Sequence, residues 1–225
     1  MLLRTVEAPL LGATCVLVVD SDARVAVVDA GGGVAERILR IVDREGWTPV
    51  GVLATHGHVD HTWDSGRLCR EWAVPLHVHE ADAYRLAEPF GTLGPLGGQL
   101  RAMSDLPGPV EPPRVATFTA EPDAPRPLDV GMTDQLEAWH LPGHTEGSTA
   151  YLVHVDGVRT VLTGDVLFAG TIGRTDLPGG DERAMADSLR RLAMLPGEVQ
   201  VVPGHGPRTS IAAELRSNPF LRAAH

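Results

Sequence analysis

Six residues, His56-Gly57-His58-Val59-Asp60-His61, constrain this chain more than any other stretch. Three imidazoles and a carboxylate this close together form a metal-ligand pattern, expected by chance in about one in a thousand chains of this composition. The apolar run Val50-Gly51-Val52-Leu53-Ala54-Thr55 before them reads as a buried strand. In extended chain alternate side chains point the same way, which pairs His56 with His58. Asp60 and His61 open a helix over Asp60–Trp72 and turn toward a second centre. Two ligand pairs from one loop suggest two metals side by side. The competing reading is a surface turn rich in histidine.

A dinuclear site needs more ligands. Leu136-Glu137-Ala138-Trp139-His140 alternates as a strand and leads into Leu141-Pro142-Gly143-His144-Thr145. Val161-Leu162-Thr163-Gly164-Asp165 is a strand ending in an acid, and Val199-Gln200-Val201-Val202 closes on Pro203-Gly204-His205-Gly206. His144, Asp165 and His205 thus each sit just past a strand and beside glycine. There a rigid sheet can hold a ligand while a small neighbour allows close approach.

These residues resemble the ligand set of the metallo-β-lactamase superfamily, and in detail its short bacterial glyoxalase II-like (hydroxyacylglutathione hydrolase-like) branch. The likeness is carried by Thr55–His61, Pro142-Gly143-His144-Thr145, Thr163–Phe168, Gly173-Arg174-Thr175-Asp176, Pro203–Pro207 and Asn218-Pro219-Phe220-Leu221. The resemblance implies an α/β fold, the four-layer αββα sandwich. It implies that His56, His58 and His144 hold one metal, that Asp60, His61 and His205 hold the other, and that Asp165 bridges them. Asp60 and Asp165 would also serve catalysis. Imidazole and carboxylate without thiolate suit zinc, iron or manganese, and zinc is the first choice for two divalent ions.

Composition agrees with one enzyme domain over residues 1–225. Apolar residues make up 43% and aromatics 4%, an aliphatic interior. All 19 basic residues are arginine, which GC-rich coding explains. A net charge of −10 argues against nucleic acid as a partner, which needs a basic footprint. Cys15 and Cys69 stand alone with apolar neighbours, as expected of reduced thiols. Glu7 and Pro9 interrupt the first apolar stretches, and no run reaches membrane-spanning length. The expectation is a cytoplasmic protein without membrane contact; its oligomeric state is open.

Along the chain, Cys15–Asp20 and Arg24–Asp29 read as a hairpin, and Gly31-Gly32-Gly33 as a tight turn into a helix striped by Val34, Ile38 and Val42. The triple glycine lacks the ending of a phosphate loop. Pro75–His79 is a strand, Thr149–His154 and Arg159–Thr163 pair around Asp156-Gly157, and Asp181 caps a helix over Glu182–Met194. Residues 89–127 hold nine of the 18 prolines. They read as an irregular Pro/Gly-rich excursion near the site's mouth. Phe90, Leu93, Leu96, Leu100 and Met103 give it an apolar underside with two roles open, packing the loop or touching substrate, and packing is the expectation. His77, His79, His140, His154 and His225 have no motif around them, and packing or outer hydrogen bonding is their expected role.

The resemblance implies cleavage of a small acyl-thiol thioester by the hydroxide that a divalent ion supplies when it lowers the pKa of bound water to about 7. A thiolate leaves readily, so no strong general acid is required. Arg174 has two roles open: gripping a substrate carboxylate, or pairing with Asp176 or Asp181. Longer glyoxalase II enzymes carry a C-terminal helical extension for glutathione. None follows in these 225 residues, so the thiol carrier is open. Three alternatives stand: a mononuclear iron persulfide dioxygenase, a lactone or β-lactam hydrolase, and a non-catalytic metal-binding module.

Overall fold

The computed structural model describes residues 1–224, and His225 lies outside the described residues. A first sheet holds β1 (Leu2–Glu7), β2 (Thr14–Val19), β3 (Arg24–Val28), β4 (Thr48–Leu53), β5 (Leu76–His79) and β6 (Val115–Phe118), in that spatial order. The second holds β7 (Arg126–Pro127), β8 (Glu137–His140), β9 (Thr149–Val155) and β10 (Val158–Gly164). Beyond the small hairpin β11 (Leu167–Phe168) and β12 (Thr171–Ile172), it is completed by β13 (Gln200–Pro203) and β14 (Thr209–Ser210). The helices are α1 (Ala35–Glu45), α2 (Val59–Thr62), α3 (Ser65–Trp72), α4 (Pro95–Met103), α5 (Glu182–Ala193), α6 (Ile211–Ser217) and α7 (Pro219–Ala224).

Alternation along the strands builds the layers. On β2, Cys15, Leu17 and Val19 join Val34, Ile38 and Val42 and Leu68 of the α1–α3 side. Val16 and Val18 point the other way, into a second core with Leu136, Ala138, Tyr151 and Leu162 of the opposite sheet. The far faces of β9 and β10, through Ala150, Leu152 and Val161, pack on Met185, Leu189, Ile211 and Leu221. Three apolar layers between four of secondary structure make the αββα sandwich, as the resemblance implies. Each sheet is buried on both faces, which its nearly continuous aliphatic strands require.

Two expectations need correction. The helix read over Asp60–Trp72 is two pieces, α2 and α3, with the break at Trp63 and Asp64. Both break residues are drawn to distant partners: Trp63 Nε1 donates to the Pro107 carbonyl at 2.8 Å, and Asp64 accepts from the Ala35 amide at 2.8 Å, at the start of α1. The excursion at 89–127 is not irregular throughout. It contains α4 and the edge strand β6, which pairs parallel to β5. Pro95 occupies the first position of α4, where a proline costs no hydrogen bond; the surrounding glycines and prolines hide this helix from a pattern search. No helix among the described residues is long and apolar enough to cross a membrane.

Candidate metal centre

All seven sequence-nominated ligands converge where β4, β8, β10 and β13 end. Three groups have ligand atoms within 4.8 Å of one another: His56, His58 and His144; Asp60, His61 and His205; and His56, His61 and Asp165. His58 Nδ1 lies 2.9 Å from His144 Nε2, and His61 Nε2 lies 3.1 Å from His205 Nε2. Asp165 stands between the two histidine groups. Its Oδ1 is 3.3 Å from His61 Nε2, and its Oδ2 is 3.7 Å from both His144 Nε2 and His205 Nε2. Asp60 Oδ2 lies 3.5 Å from His205 Nε2. Glycine makes this approach possible: at Gly204 a Cβ would strike Asp165 Oδ1 and the His61 ring.

Three imidazoles are aimed by a partner on the nitrogen away from the centre. His144 Nδ1 donates to the Arg174 carbonyl at 2.8 Å, His61 Nδ1 to Asp29 Oδ2 at 2.9 Å, and His56 Nδ1 lies 3.1 Å from Thr55 Oγ1. Each bond leaves Nε2 turned inward as a lone pair, the way proteins orient metal-binding histidines. His56 Nε2 and Asp165 Oδ1 are buried and have no hydrogen-bond partner. Such atoms are costly unless something satisfies them. A bound cation does so, and the residues present fit divalent metal.

The electrostatics point the same way. Burial and the neighbouring His144 push the His58 pKa down to about 3, and burial with His61 and His144 holds His56 well below the ordinary value. Both are neutral ligands at cell pH. Burial opposes charge on His61, yet Asp165, Asp29 and Asp60 outweigh it and raise its pKa well above the usual one. The negative field that stabilises an imidazolium there also favours a metal cation.

Two residues that sequence reading did not nominate hold the ligand loops. Asp29 takes the Thr55 amide on Oδ1 at 2.7 Å and the Thr55 hydroxyl on Oδ2 at 2.8 Å, beside His61. It is an acid at a strand end next to small residues, the same signal that marked Asp165. Asp82 is fully buried and accepts from the Gly57 amide at 2.7 Å, the Thr145 hydroxyl at 2.7 Å and the Gly147 amide at 2.9 Å. Buried Arg85 pairs with Asp82 and with Glu146 and donates to the Pro178 carbonyl at 3.0 Å. Nothing local in the sequence marks Asp82.

The remaining nominated groups fall outside the cluster. Arg174 forms a bidentate pair with Asp176, at 2.6 and 2.7 Å, on the exposed side of its loop. Among the other described histidines, His79 stacks on His140 with ring centroids 4.2 Å apart, a packing role; His77 and His154 join no ligand group. Cys15 and Cys69 are buried and free, and burial raises both thiols, Cys69 to about 12. Neither is a thiolate nucleophile.

A cavity of about 380 Å³ opens over the ligands, with His58, Asp60, His144 and Asp165 on its floor. Its walls come from Leu10 and Leu11, from α4 and from Leu177, with Arg174 as its one cation. A cavity of about 420 Å³ between α5 and α7 holds none of the ligand residues, so chemistry rather than volume selects the site.

The sequence pattern of the metallo-beta-lactamase superfamily matches residues 8–205. The chain belongs to that superfamily. Hydroxyacylglutathione hydrolase GloC of Haemophilus influenzae is 31% identical over 219 residues, covering 93% of this chain and 92% of the relative. Two solved structures superpose at a TM-score of 0.78. One is the BLEG-1 B3 metallo-beta-lactamase, 27% identical over 98% of this chain and 99% of that one. The other is TTHA1623 in a di-iron-bound form, 30% identical over 98% of this chain and 100% of that one. Within this metallo-beta-lactamase fold the His/Asp cluster is a metal centre, and the relatives leave the identity of the metal open.

Proposed function

We propose that this chain hydrolyses a small acyl-thiol thioester, using two divalent ions held by His56, His58 and His144 and by Asp60, His61 and His205, with Asp165 shared. Zinc is the first candidate. When bound, such ions supply a hydroxide at neutral pH and polarise a carbonyl. The residues supply the rest. His61 and Asp165 fix the spacing between the two ligand groups. Asp60, kept ionised because His61, His205 and His58 outweigh its burial, accepts a hydrogen bond from the attacking water and orients it toward the cavity.

One observation carries the thioester reading. Apart from the ligands themselves, the cavity lining contains Arg174, Gln99 and aliphatic side chains, with no group able to protonate a leaving atom. A thiolate departs without that help, whereas an amine does not. The likeness to GloC supports the same choice.

The test is metal analysis of purified protein alongside turnover of S-lactoylglutathione and other thioesters, a β-lactam, and oxygen uptake on a persulfide. Two ions per chain with thioester cleavage and no oxygen uptake supports the proposal. One iron with oxygen consumption replaces it with the dioxygenase reading, and faster cleavage of the β-lactam replaces it with a lactamase.

A further inference from the structure

Above its floor, the cavity over the metal centre is apolar except for Gln99 and Arg174. Leu93 and Leu100 are buried beneath its wall, packed with Val59 and Trp63 and against Leu177. Leu11, Leu96 and Met103 line the same cavity yet are 54%, 38% and 80% exposed. They are three of nine exposed large apolar side chains among the described residues, gathered on the lips of one opening. Contiguous exposed apolar surface at a cleft marks a binding surface, whereas scattered single residues do not.

Leu11 carries a second signal. Its backbone sits in the left-handed region at φ 62°, uncommon for a bulky residue. Gly12 beside it, at φ 72°, occupies that region without strain. The two close the turn between β1 and β2, where Ala8 and Ala13 pair, and that turn sets the Leu11 side chain at the cavity's mouth.

Charge gives the third. The lining's one cation, Arg174, already has two of its nitrogens on the Asp176 carboxylate. A thioester bearing free carboxylates would lose water against the leucines without gaining a free cation from the wall, which is unfavourable.

We propose that the site takes thioesters carrying an aliphatic arm, laid against Leu96, Leu100 and Met103 of α4 and Leu11, in preference to charged glutathione thioesters. This rests on the thioester reading above and narrows its substrate class. An arm filling the wall gains affinity with each methylene it buries, up to the length the cavity accepts.

The experiment uses the metal-loaded full chain and two series of thioesters. One extends the acyl group from acetyl to octanoyl on a small neutral thiol; the other extends the thiol's alkyl chain on acetyl. S-lactoylglutathione is measured beside them. kcat/KM should rise about two- to fourfold per methylene in at least one series, the upper figure being that of a fully buried methylene. Leu96→Glu and Met103→Glu, both on the open face of α4, should flatten that slope with metal content unchanged. The series that rises tells which side of the thioester meets the leucines. Flat or falling series, with S-lactoylglutathione the better substrate, overturn the aliphatic assignment and leave thioester hydrolysis standing. A rise that survives both glutamate variants places the arm elsewhere and overturns it too. Two bound metals with no thioester cleaved at all removes the underlying reading as well.

Discussion

The two ligand triads are built from one loop plus one distant histidine each, yet they differ in depth and charge. His56, His58 and His144 are all imidazole and essentially sealed from solvent. Asp60, His61 and His205 include a carboxylate, and the His205 side chain retains 28% of its exposure. The deep triad is a rigid neutral cage, tied down by the Thr55 hydroxyl and the Arg174 carbonyl. The rim triad sits in the field of Asp29, Asp60 and Asp165; its His61 is fully buried, and Asp60 faces the cavity, as His58 and His144 of the deep triad also do. Preorganisation favours a cation in the first, and negative charge favours one at the second. Asp165 reaches both.

Removing that shared carboxylate should have the largest effect. Asp165→Ala is expected to lower metal content toward one ion or fewer per chain and to cut hydrolysis by about 10²–10³-fold or more, the range for losing a main electrostatic element of a site. Metal analysis and steady-state kinetics check it. Two retained ions with normal turnover would mean that the triads are independent and that Asp165 bridges nothing.

Gradual metal removal asks which triad is weaker. During timed dialysis against a chelator, the rim ion should leave first and take the hydrolytic activity with it, leaving one ion in the deep cage. Loss of both ions at a single rate would show that depth does not separate them.

The two buried acids behind the ligands sharpen the contrast. Asp29 bonds His61 directly and reaches His56 only through the Thr55 hydroxyl, so Asp29→Asn should weaken the rim ion by about 10- to 100-fold, the usual effect of losing a partner behind a metal-binding histidine, and the deep ion less. Asp82 bonds Gly57, Thr145 and Gly147, which flank His56, His58 and His144. Asp82→Asn should therefore act on the deep ion. It also leaves buried Arg85 without a full partner, at a stability cost of about 3 kcal/mol or more. Metal titration of each variant reads out the crossover, and equal losses at both sites would erase it.

How much of this was legible in the sequence follows from the range of each interaction. The ligands were readable because chemistry fixes their type and the strand ends fix their place: His56 through His61 follow β4, and Asp165 follows β10. The αββα layering was implied by the family resemblance, and the order of strands and helices along the chain agreed with it. Asp82 was not readable, since its partners lie 25 to 65 residues away and nothing adjacent announces them. The break between α2 and α3 was hidden for the same reason, because Pro107 and Ala35 draw Trp63 and Asp64 out of a sequence with good helical pattern. In α4, local glycine and proline signals misled, and Leu93 and Leu100 packing on Val59 and Trp63 overrode them.

The smallest effect is expected at Arg174, and there the deep triad depends on backbone rather than side chain. The His144 ring is aimed by the Arg174 carbonyl, which alanine keeps. The guanidinium is half exposed and paired with Asp176, whose carboxyl it holds at a pKa of about 2, and an exposed pair of this kind adds little to stability. Arg174→Ala should therefore leave Tm and metal content unchanged and alter KM for an aliphatic thioester hardly at all. For a thioester bearing a carboxylate, KM should rise no more than a few-fold. A rise of about tenfold or more, with kcat preserved, would mean that the guanidinium leaves Asp176 to bind substrate in ground and transition state alike. In that case the rim of the cavity selects anions, and the aliphatic wall of α4 is packing rather than specificity.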